Sequence, residues 1–256
     1  MVRGSSEMAI PWRDGYPLSG DRLQRHSRRL RLGSLQTSTY LPHPSPTLWD
    51  SLTTVAGTLG VRSVILPGIE IGPVYLHSSR VIVQDRSFLQ REFGVTIAAV
   101  AGLDILQTRS WMIDFEKRRI VFVPPTKAQK SVRFETQNPC VTVKLEIGGQ
   151  DFRLTVDSGT GRLLLYRSRI KRQLATLEPI LVESDSTLVG PAGSIRAAWY
   201  RTSRVKLGKI DLGARAVLVV DADARLGETF DGLLGLVQVG FRRVWLDFEN
   251  GIFAWE

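Results

Sequence analysis

The loop Asp157-Ser158-Gly159-Thr160 is the best candidate for chemistry in this chain of 256 residues. It directly follows a strand-like pattern and precedes the apolar run Leu163-Leu164-Leu165. A carboxylate in this loop could share one proton with a second carboxylate, because two close like charges cannot both ionise, and such a pair could polarise a water molecule. Asp157 is therefore the candidate acid-base residue; the alternative is an ordinary aspartate of a surface turn.

The segment before this loop has the pattern of a β-hairpin. In CVTVKLEI, residues 140–147, apolar side chains occupy every second position, which is typical of a half-buried strand. Gly148 and Gly149 then supply the positive φ of a tight turn. The returning segment DFRLTVD ends on Asp157, so the sequence predicts that Asp157 closes a strand and faces away from its aliphatic row.

The hairpin, the Asp-Ser-Gly-Thr loop and the later step Leu233-Leu234-Gly235 resemble, in type and order, the retropepsin-like aspartic protease family. The resemblance covers residues 140–256 and, as a degraded copy, 60–126. It implies that Asp157 is catalytic, that Ser158, Gly159 and Thr160 support the active-site loop, and that STLVGPAGSIRAAWY (186–200) is a flap which excludes water. It also implies a peptide or protein substrate and no cofactor or metal.

Two stretches of the chain have similar sequences, which predicts an internal duplication. Residues 99–122 and 232–255 share an apolar Gly-Leu step and an Asp-Phe-Glu step, and the same 12-residue spacing separates Gly102 from Asp114 and Gly235 from Asp247. A proline-containing linker near residue 127 separates the copies. We therefore expect a mainly β fold with two retropepsin-like lobes: 1–126, degenerate or N-terminally truncated, and 127–256, which carries the Asp-Ser-Gly-Thr loop.

The second aspartate of the expected pair is hard to find. If Gly72 is aligned with Gly213, the spacing predicts the partner of Asp157 near residue 16, and Asp14-Gly15 lies two residues away. Asp14 lacks the following hydroxyl residue and a full preceding hairpin. It is either a degenerate active-site remnant or an ordinary Asp-Gly turn. Activity then needs a second chain, as in a homodimer, a degenerate mechanism, or a start codon further upstream.

Composition and charge exclude some classes of protein and leave others open. The chain is 43% hydrophobic, which excludes full disorder, and 34 basic against 25 acidic residues give a net charge of +9. Basic clusters at 22–31 and 167–172 could bind nucleic acid, but no recognition module accompanies them, so we expect no nucleic-acid partner. The sequence shows no transmembrane segment or signal peptide, which as written predicts a cytoplasmic protein.

Three hypotheses for the function follow, in descending order. The first is an aspartic-type endopeptidase that uses Asp157. The second is a catalytically inactive pseudoprotease that binds peptides and lacks the second carboxylate. The third is a basic nucleic-acid-binding protein, whose affinity would fall steeply with salt.

Helices are expected to be few, with residues 21–32 and 87–95 as the best candidates.

Overall fold

The computed structural model describes most of the C-terminal half of the chain and parts of the N-terminal half. Among these residues, no helix has the length and apolarity needed to cross a membrane. For residues 7–54 only the backbone of the strands is described. The described residues are 7–9, 12–13, 16–17, 39–41, 48–54, 57–83, 101–126, 130–137, 140–158, 160–171, 173, 180–190, 193–221, 230–237 and 239–256.

The described residues form mainly β-structure, as expected. The strands of the N-terminal half are β1 (Glu7–Ala9), β2 (Trp12–Arg13), β3 (Tyr16–Pro17), β4 (Thr39–Leu41), β5 (Leu48–Thr54), β6 (Gly57–Ile71), β7 (Val74–Val83), β8 (Trp111–Asp114) and β9 (Arg119–Val121). Those of the C-terminal half are β10 (Lys130–Arg133), β11 (Glu135–Gln137), β12 (Cys140–Ile147), β13 (Gln150–Asp157), β14 (Leu163–Tyr166), β15 (Ile180–Gly190), β16 (Gly193–Leu207), β17 (Ile210–Val220), β18 (Gly232–Gly235), β19 (Arg243–Asp247) and β20 (Ile252–Trp255).

The C-terminal half forms a closed β-barrel. The strand order is β11-β12-β13-β18-β14-β17-β16-β15, and β12 also pairs with β16, which joins the sheet into a ring. Alternate residues of β12 and β13 fill its interior, because successive side chains of a strand point to opposite faces. Gly148 and Gly149 form the turn between these strands with positive φ, which confirms the predicted hairpin.

A second sheet joins the two halves of the chain. Its order is β1-β9-β8-β19-β20-β10, so three strands of the N-terminal half meet three strands of the C-terminal half, and β8 pairs with β19 at the centre. Met112 of β8 lies opposite Trp245 of β19, and each is ten residues after its Gly-Leu glycine, Gly102 or Gly235. The pairing is therefore symmetric about the repeat found in the sequence. Internal duplication and the boundary near residue 127 remain predictions.

The N-terminal half contains a smaller sheet of four strands, in the order β4-β7-β6-β5. Its hairpin β6–β7 corresponds in topology to β16–β17, because each hairpin places its second strand parallel to a short strand, β4 or β14. Gly72 and Gly208 occupy the two turns, with φ of 56° and 58°, whereas Gly213 lies inside β17. The alignment of Gly72 with Gly213 is therefore wrong, and the spacing that led to Asp14 loses its basis.

Within the described residues, two short helices interrupt the strands: α1 (Leu103–Leu106) and α2 (Arg167–Ile170). Both are single turns that follow a glycine or a strand, and they place apolar residues against the core. The sequence did not predict either helix. The two helical candidates, 21–32 and 87–95, lie outside the described residues.

Candidate active site

Asp157 is the last residue of β13 and lies where β13 pairs with β18, whose other neighbour is β14. β13 runs parallel to β18, with Asp157 opposite Gly235 and Thr155 opposite Leu233. Only 6% of Asp157 is exposed. Because Leu154 and Val156 belong to the barrel core, the alternation of the strand turns Asp157 to the other face, as expected.

The loop after Asp157 is held by short local contacts. Ser158 is half-buried and Thr160 is buried. The Thr160 hydroxyl oxygen accepts a hydrogen bond of 3.3 Å from the backbone N–H of Arg162. This contact ties the loop to the start of β14. Gly159 lies outside the described residues.

Gly235 is required because two backbone segments of the chain approach each other closely at this position. Its backbone N–H donates to the carbonyl of Arg162 at 2.9 Å. A Cβ atom at Gly235 would overlap with the backbone nitrogen and oxygen of Arg162, and a Cβ atom at Gly232 would overlap with the carbonyl of Leu164. Both glycines of this strand therefore serve the junction of β13, β18 and β14 rather than a turn.

Asp231, just before β18, fixes this strand to the Asp157 hairpin. Its carboxylate accepts a 2.8 Å hydrogen bond from the backbone N–H of Arg153, and its own N–H donates to the Arg153 carbonyl at 2.7 Å. Its carboxylate also pairs with the guanidinium of Arg169 at 3.4 Å. This residue was not singled out in the sequence, although its position one residue before the Gly-Leu-Leu-Gly strand could have indicated it.

A mostly apolar layer covers the face that carries Asp157. Burial raises the pKa of the Cys140 thiol to about 11, and the negative charge of Asp157 adds to the effect. Burial likewise raises the pKa of Tyr166 well above its usual value, with Asp157 and Cys140 contributing. Cys140 is therefore a protonated core residue at neutral pH and not a nucleophile. The layer consists of Cys140, Leu164, Tyr166, Leu188, Ala197, Leu218, Val220, Phe230 and Leu233.

The hairpin β15–β16 contains residues 186–200, the segment predicted to be a flap; its role as a flap stays a prediction. Its two strands pair up to Gly190 and Gly193, with Leu188 opposite Ile195. Leu188 and Ala197 are buried in the layer beside Asp157, and Trp199 packs against it from β16. The Arg162 guanidinium carbon lies 4.6 Å from the centre of the Trp199 ring. The active-site loop and this hairpin are therefore in direct contact.

Asp114 and Asp247 join the two halves of the chain and do not contribute to the Asp157 site. Ser110 donates a 2.7 Å hydrogen bond to Asp247, and Arg243 donates one of 3.1 Å to Asp114. Each aspartate also accepts a turn N–H, from Lys117 or Asn250. Both aspartates therefore hydrogen-bond at strand ends and turns, and the links across the sheet are revealed only by the structure.

Of the predicted site residues, the structure brings together Asp157, Ser158, Thr160 and the Leu-Leu-Gly strand. Asp14 lies outside the described residues, between β2 and β3, which pair with each other. Arg162 and Tyr166 were missed as neighbours of the site. Strand parity could have found Tyr166, because Leu164 and Tyr166 of β14 lie in the layer beside Asp157. No group of three or more metal-binding side chains occurs in the described part of the chain.

Comparisons with known proteins agree with this site. Residues 143–237, less than half of the chain, match the aspartyl protease family model. No curated protein matches the sequence. Among the solved structures that match is a retropepsin-like aspartic protease from Rickettsia conorii, with 16% identity and a TM-score of 0.35, over 49% of this chain and 98% of the other.

The match to the family model includes the Asp-Ser-Gly-Thr loop, β18 and the hairpin β15–β16. This part of the chain therefore matches the aspartyl protease family, which supports the resemblance seen in the sequence. The family match supports a protease-like function.

Proposed function

We propose that the protein is an aspartic-type endopeptidase in which Asp157 is one member of a proton-sharing carboxylate pair. The single observation that supports this most is the placement of Asp157 at the end of β13, opposite Gly235 of the parallel strand β18 and nearly buried. Burial beside an apolar layer favours sharing of a proton with a second carboxylate, because full ionisation of both would be costly. Water held between the two would attack the peptide carbonyl.

The other loop residues would support this carboxylate. Ser158 would tie its loop to a partner loop through its hydroxyl, and Gly159 would allow the backbones to approach. Thr160 holds the exit of the loop through its hydrogen bond to Arg162. The hairpin β15–β16 would close over a peptide or protein substrate and exclude water from the reaction.

The second carboxylate is the open requirement of this mechanism. Residues 157–159 are the one Asp-Ser/Thr-Gly sequence of the chain. The strand β4 corresponds in topology to β14, which follows the Asp157 loop. The counterpart of that loop should therefore lie just before Thr39, the first residue of β4. The sequence there, LGSLQTS (32–38), contains no acidic residue. A homodimer, in which a second copy supplies the carboxylate, would satisfy the requirement; Asp14, whose predicted spacing does not match this topology, stays an untested alternative within the chain.

The test is cleavage of an unfolded protein by the wild type and by Asp157→Asn between about pH 3 and 7, where a coupled carboxylate pair can hold one proton. We expect a loss of at least about 100-fold in the variant. Asp151→Asn is the matched control, because Asp151 is an exposed aspartate in the same hairpin that pairs with Lys144 at 2.6 Å. Activity that rises with the square of protein concentration would identify a homodimer. Equal cleavage by wild type and Asp157→Asn would refute the proposal.

A second candidate is a pseudoprotease that binds peptides without cleaving them. The specific observation in its favour is that β8 of the N-terminal half already pairs with β19. A second copy of the chain therefore cannot pair with β19 at this edge, and it would have to associate outside this sheet to supply a carboxylate. Peptide binding without turnover at any protein concentration would support this candidate. Turnover that depends on Asp157 would exclude it.

A further inference from the structure

Two threonines lie side by side on the face of the barrel that carries Asp157. Thr142 of β12 is directly opposite Thr155 of β13. Their neighbours along the two strands belong to the barrel core, so the alternation of a strand turns both threonines to the other face. These neighbours are Val141, Val143, Leu154 and Val156. Thr155 therefore shares its face with Asp157, which follows it by two residues in β13.

The hydroxyls of both threonines are buried without a hydrogen-bond partner in the described part of the chain. Thr142 is 2% exposed and Thr155 is 0% exposed. The hydroxyl of Tyr166, in the apolar layer of the same face, is likewise buried and unpartnered among the described residues. Folded proteins pair nearly all buried polar atoms with protein atoms or with ordered water, because an unpartnered one is destabilising.

The spacing of the strands brings the two threonine hydroxyls and the Asp157 carboxylate within reach of one water molecule. Directly opposite residues of antiparallel strands have Cβ atoms about 5 Å apart. Residues on the same face of one strand are about 6.6 Å apart, which is two rises of about 3.3 Å. Two hydrogen bonds of about 2.8 Å through a shared water span about 5.6 Å, and side-chain oxygens that lean towards each other cover the remainder.

The chemistry of these three groups suits a buried water. Three polar partners are the usual number for such a water, and the burial of both threonines keeps an extended substrate backbone away from them. A threonine hydroxyl both donates and accepts a hydrogen bond. A carboxylate accepts at about four positions, so a bond from water adds to the interactions that Asp157 already has.

We propose that Thr142 and Thr155 hold a buried water molecule that donates a hydrogen bond to the Asp157 carboxylate and fixes its orientation. This water is distinct from the attacking water, which would lie between the two carboxylates. Thr142 and Thr155 are positioning residues, because they act on the carboxylate through the water. The catalytic consequence rests on the proposed function, since it assumes that Asp157 activates the attacking water.

The first measurement is a crystal structure of the full chain at a resolution that shows single water molecules. We expect one buried water within hydrogen-bond distance of Thr142 Oγ1, Thr155 Oγ1 and one carboxylate oxygen of Asp157. The water should stay in Thr155→Ser, which keeps the hydroxyl, and leave in Thr155→Val, which has the same shape without it. Threonine hydroxyls that bond to protein atoms, with no water between them, overturn the inference.

Carbon-13 NMR of the Asp157 side-chain carboxyl tests the same hydrogen bond in solution. Thr155→Val and Thr142→Val should each move this resonance, whereas Thr155→Ser should keep it near its wild-type position. Thr202→Val is the matched control, because Thr202 is a buried threonine of β16 whose hydroxyl donates to the Arg215 carbonyl at 3.2 Å. A resonance that Thr155→Val leaves in place, or that Thr202→Val moves equally, overturns the inference.

Cleavage of an unfolded protein measures the catalytic consequence. Thr155→Val should lower kcat by at least about tenfold with little change in KM, because a carboxylate without this bond samples more orientations. Thr155→Ser should retain most of the wild-type kcat. An unchanged kcat in Thr155→Val overturns the positioning role, even where the water is observed.

The outcomes also separate this inference from the proposed function. The water and the NMR shift, with no cleavage by the wild type, support the water site and refute the peptidase. Cleavage that depends on Asp157, with neither the water nor the shift, overturns the water site and leaves the peptidase proposal intact. Failure of all three measurements refutes both.

Discussion

The hairpins β6–β7 and β16–β17 have the same plan and different surroundings. Each has a first strand of 15 residues, a turn glycine with positive φ, and a second strand parallel to a short strand. In the C-terminal half, the end of β17 is fully buried and β16 also pairs with β12. In the N-terminal half, Ile65 and Tyr75 are 59% and 55% exposed.

The difference shows which strands position the Asp157 loop. In the C-terminal half the parallel pair β13–β18 lies next to the hairpin's partner strand and holds Asp157. The described part of the N-terminal half contains no parallel pair in the corresponding place beside β4. Both halves therefore share a long hairpin and a short strand parallel to its second strand. The position of Asp157 depends in addition on the parallel pair β13–β18.

The largest expected effect comes from the glycines of these two regions. Gly235→Ala should lower the free energy of unfolding by about 4 kcal/mol or more, because the added methyl group overlaps with backbone atoms that cannot rotate away. Gly60→Ala in β6 is the control, since no atom lies within 4 Å of its Cβ position. Chemical denaturation of both variants measures the contrast, and equal stability would contradict the close approach at Gly235.

A smaller effect is expected from apolar side chains of the two hairpins. Leu218→Ala in β17 should cost about 3 kcal/mol, because a fully buried side chain leaves a cavity beside the Asp157 face. Ile65→Ala in β6 should change stability by about 0.5 kcal/mol or less, since this side chain is mostly exposed. A comparable loss in Ile65→Ala would mean that another surface covers the N-terminal hairpin in solution.

The smallest effect concerns the link between the two halves. Burial would raise the pKa of Asp247, but hydrogen bonds from Asn250 and Ser110 outweigh it and hold the pKa below its ordinary value of 3.8. Asp247 therefore adds stability above pH 3.8, and this contribution is lost as pH falls through the lowered pKa. Ser110→Ala should cost about 2 kcal/mol at pH 7.

Thermal unfolding between pH 2 and pH 7 tests this link. The difference between wild type and Ser110→Ala should shrink as Asp247 becomes protonated at low pH. Removal of the exposed Lys144–Asp151 pair by Lys144→Ala is the control and should cost about 1 kcal/mol or less. A Ser110→Ala effect that is the same at pH 2 and pH 7 would show that the carboxylate charge is irrelevant there.

Local patterns were the reliable part of the prediction. Alternation predicted β12 and β13, the Gly-Gly pair predicted their turn, and the aspartate at the end of the second strand was placed on the correct face. The alignment of the repeats was less reliable, because the sequence alone does not distinguish a glycine inside β17 from a glycine in a turn. Only the φ values and pairing separate Gly213 from Gly208.

The sequence by itself determined the strands, the turns and the Asp-Ser-Gly-Thr loop, because alternation and glycine conformations act over a few neighbouring residues. The tertiary structure decided the parallel pairing of Asp157 with Gly235, the closure of the barrel through β12 and β16, and the seating of Arg162 on Trp199. These contacts join residues far apart in the chain. They depend on which strands become neighbours, and no short pattern encodes that choice.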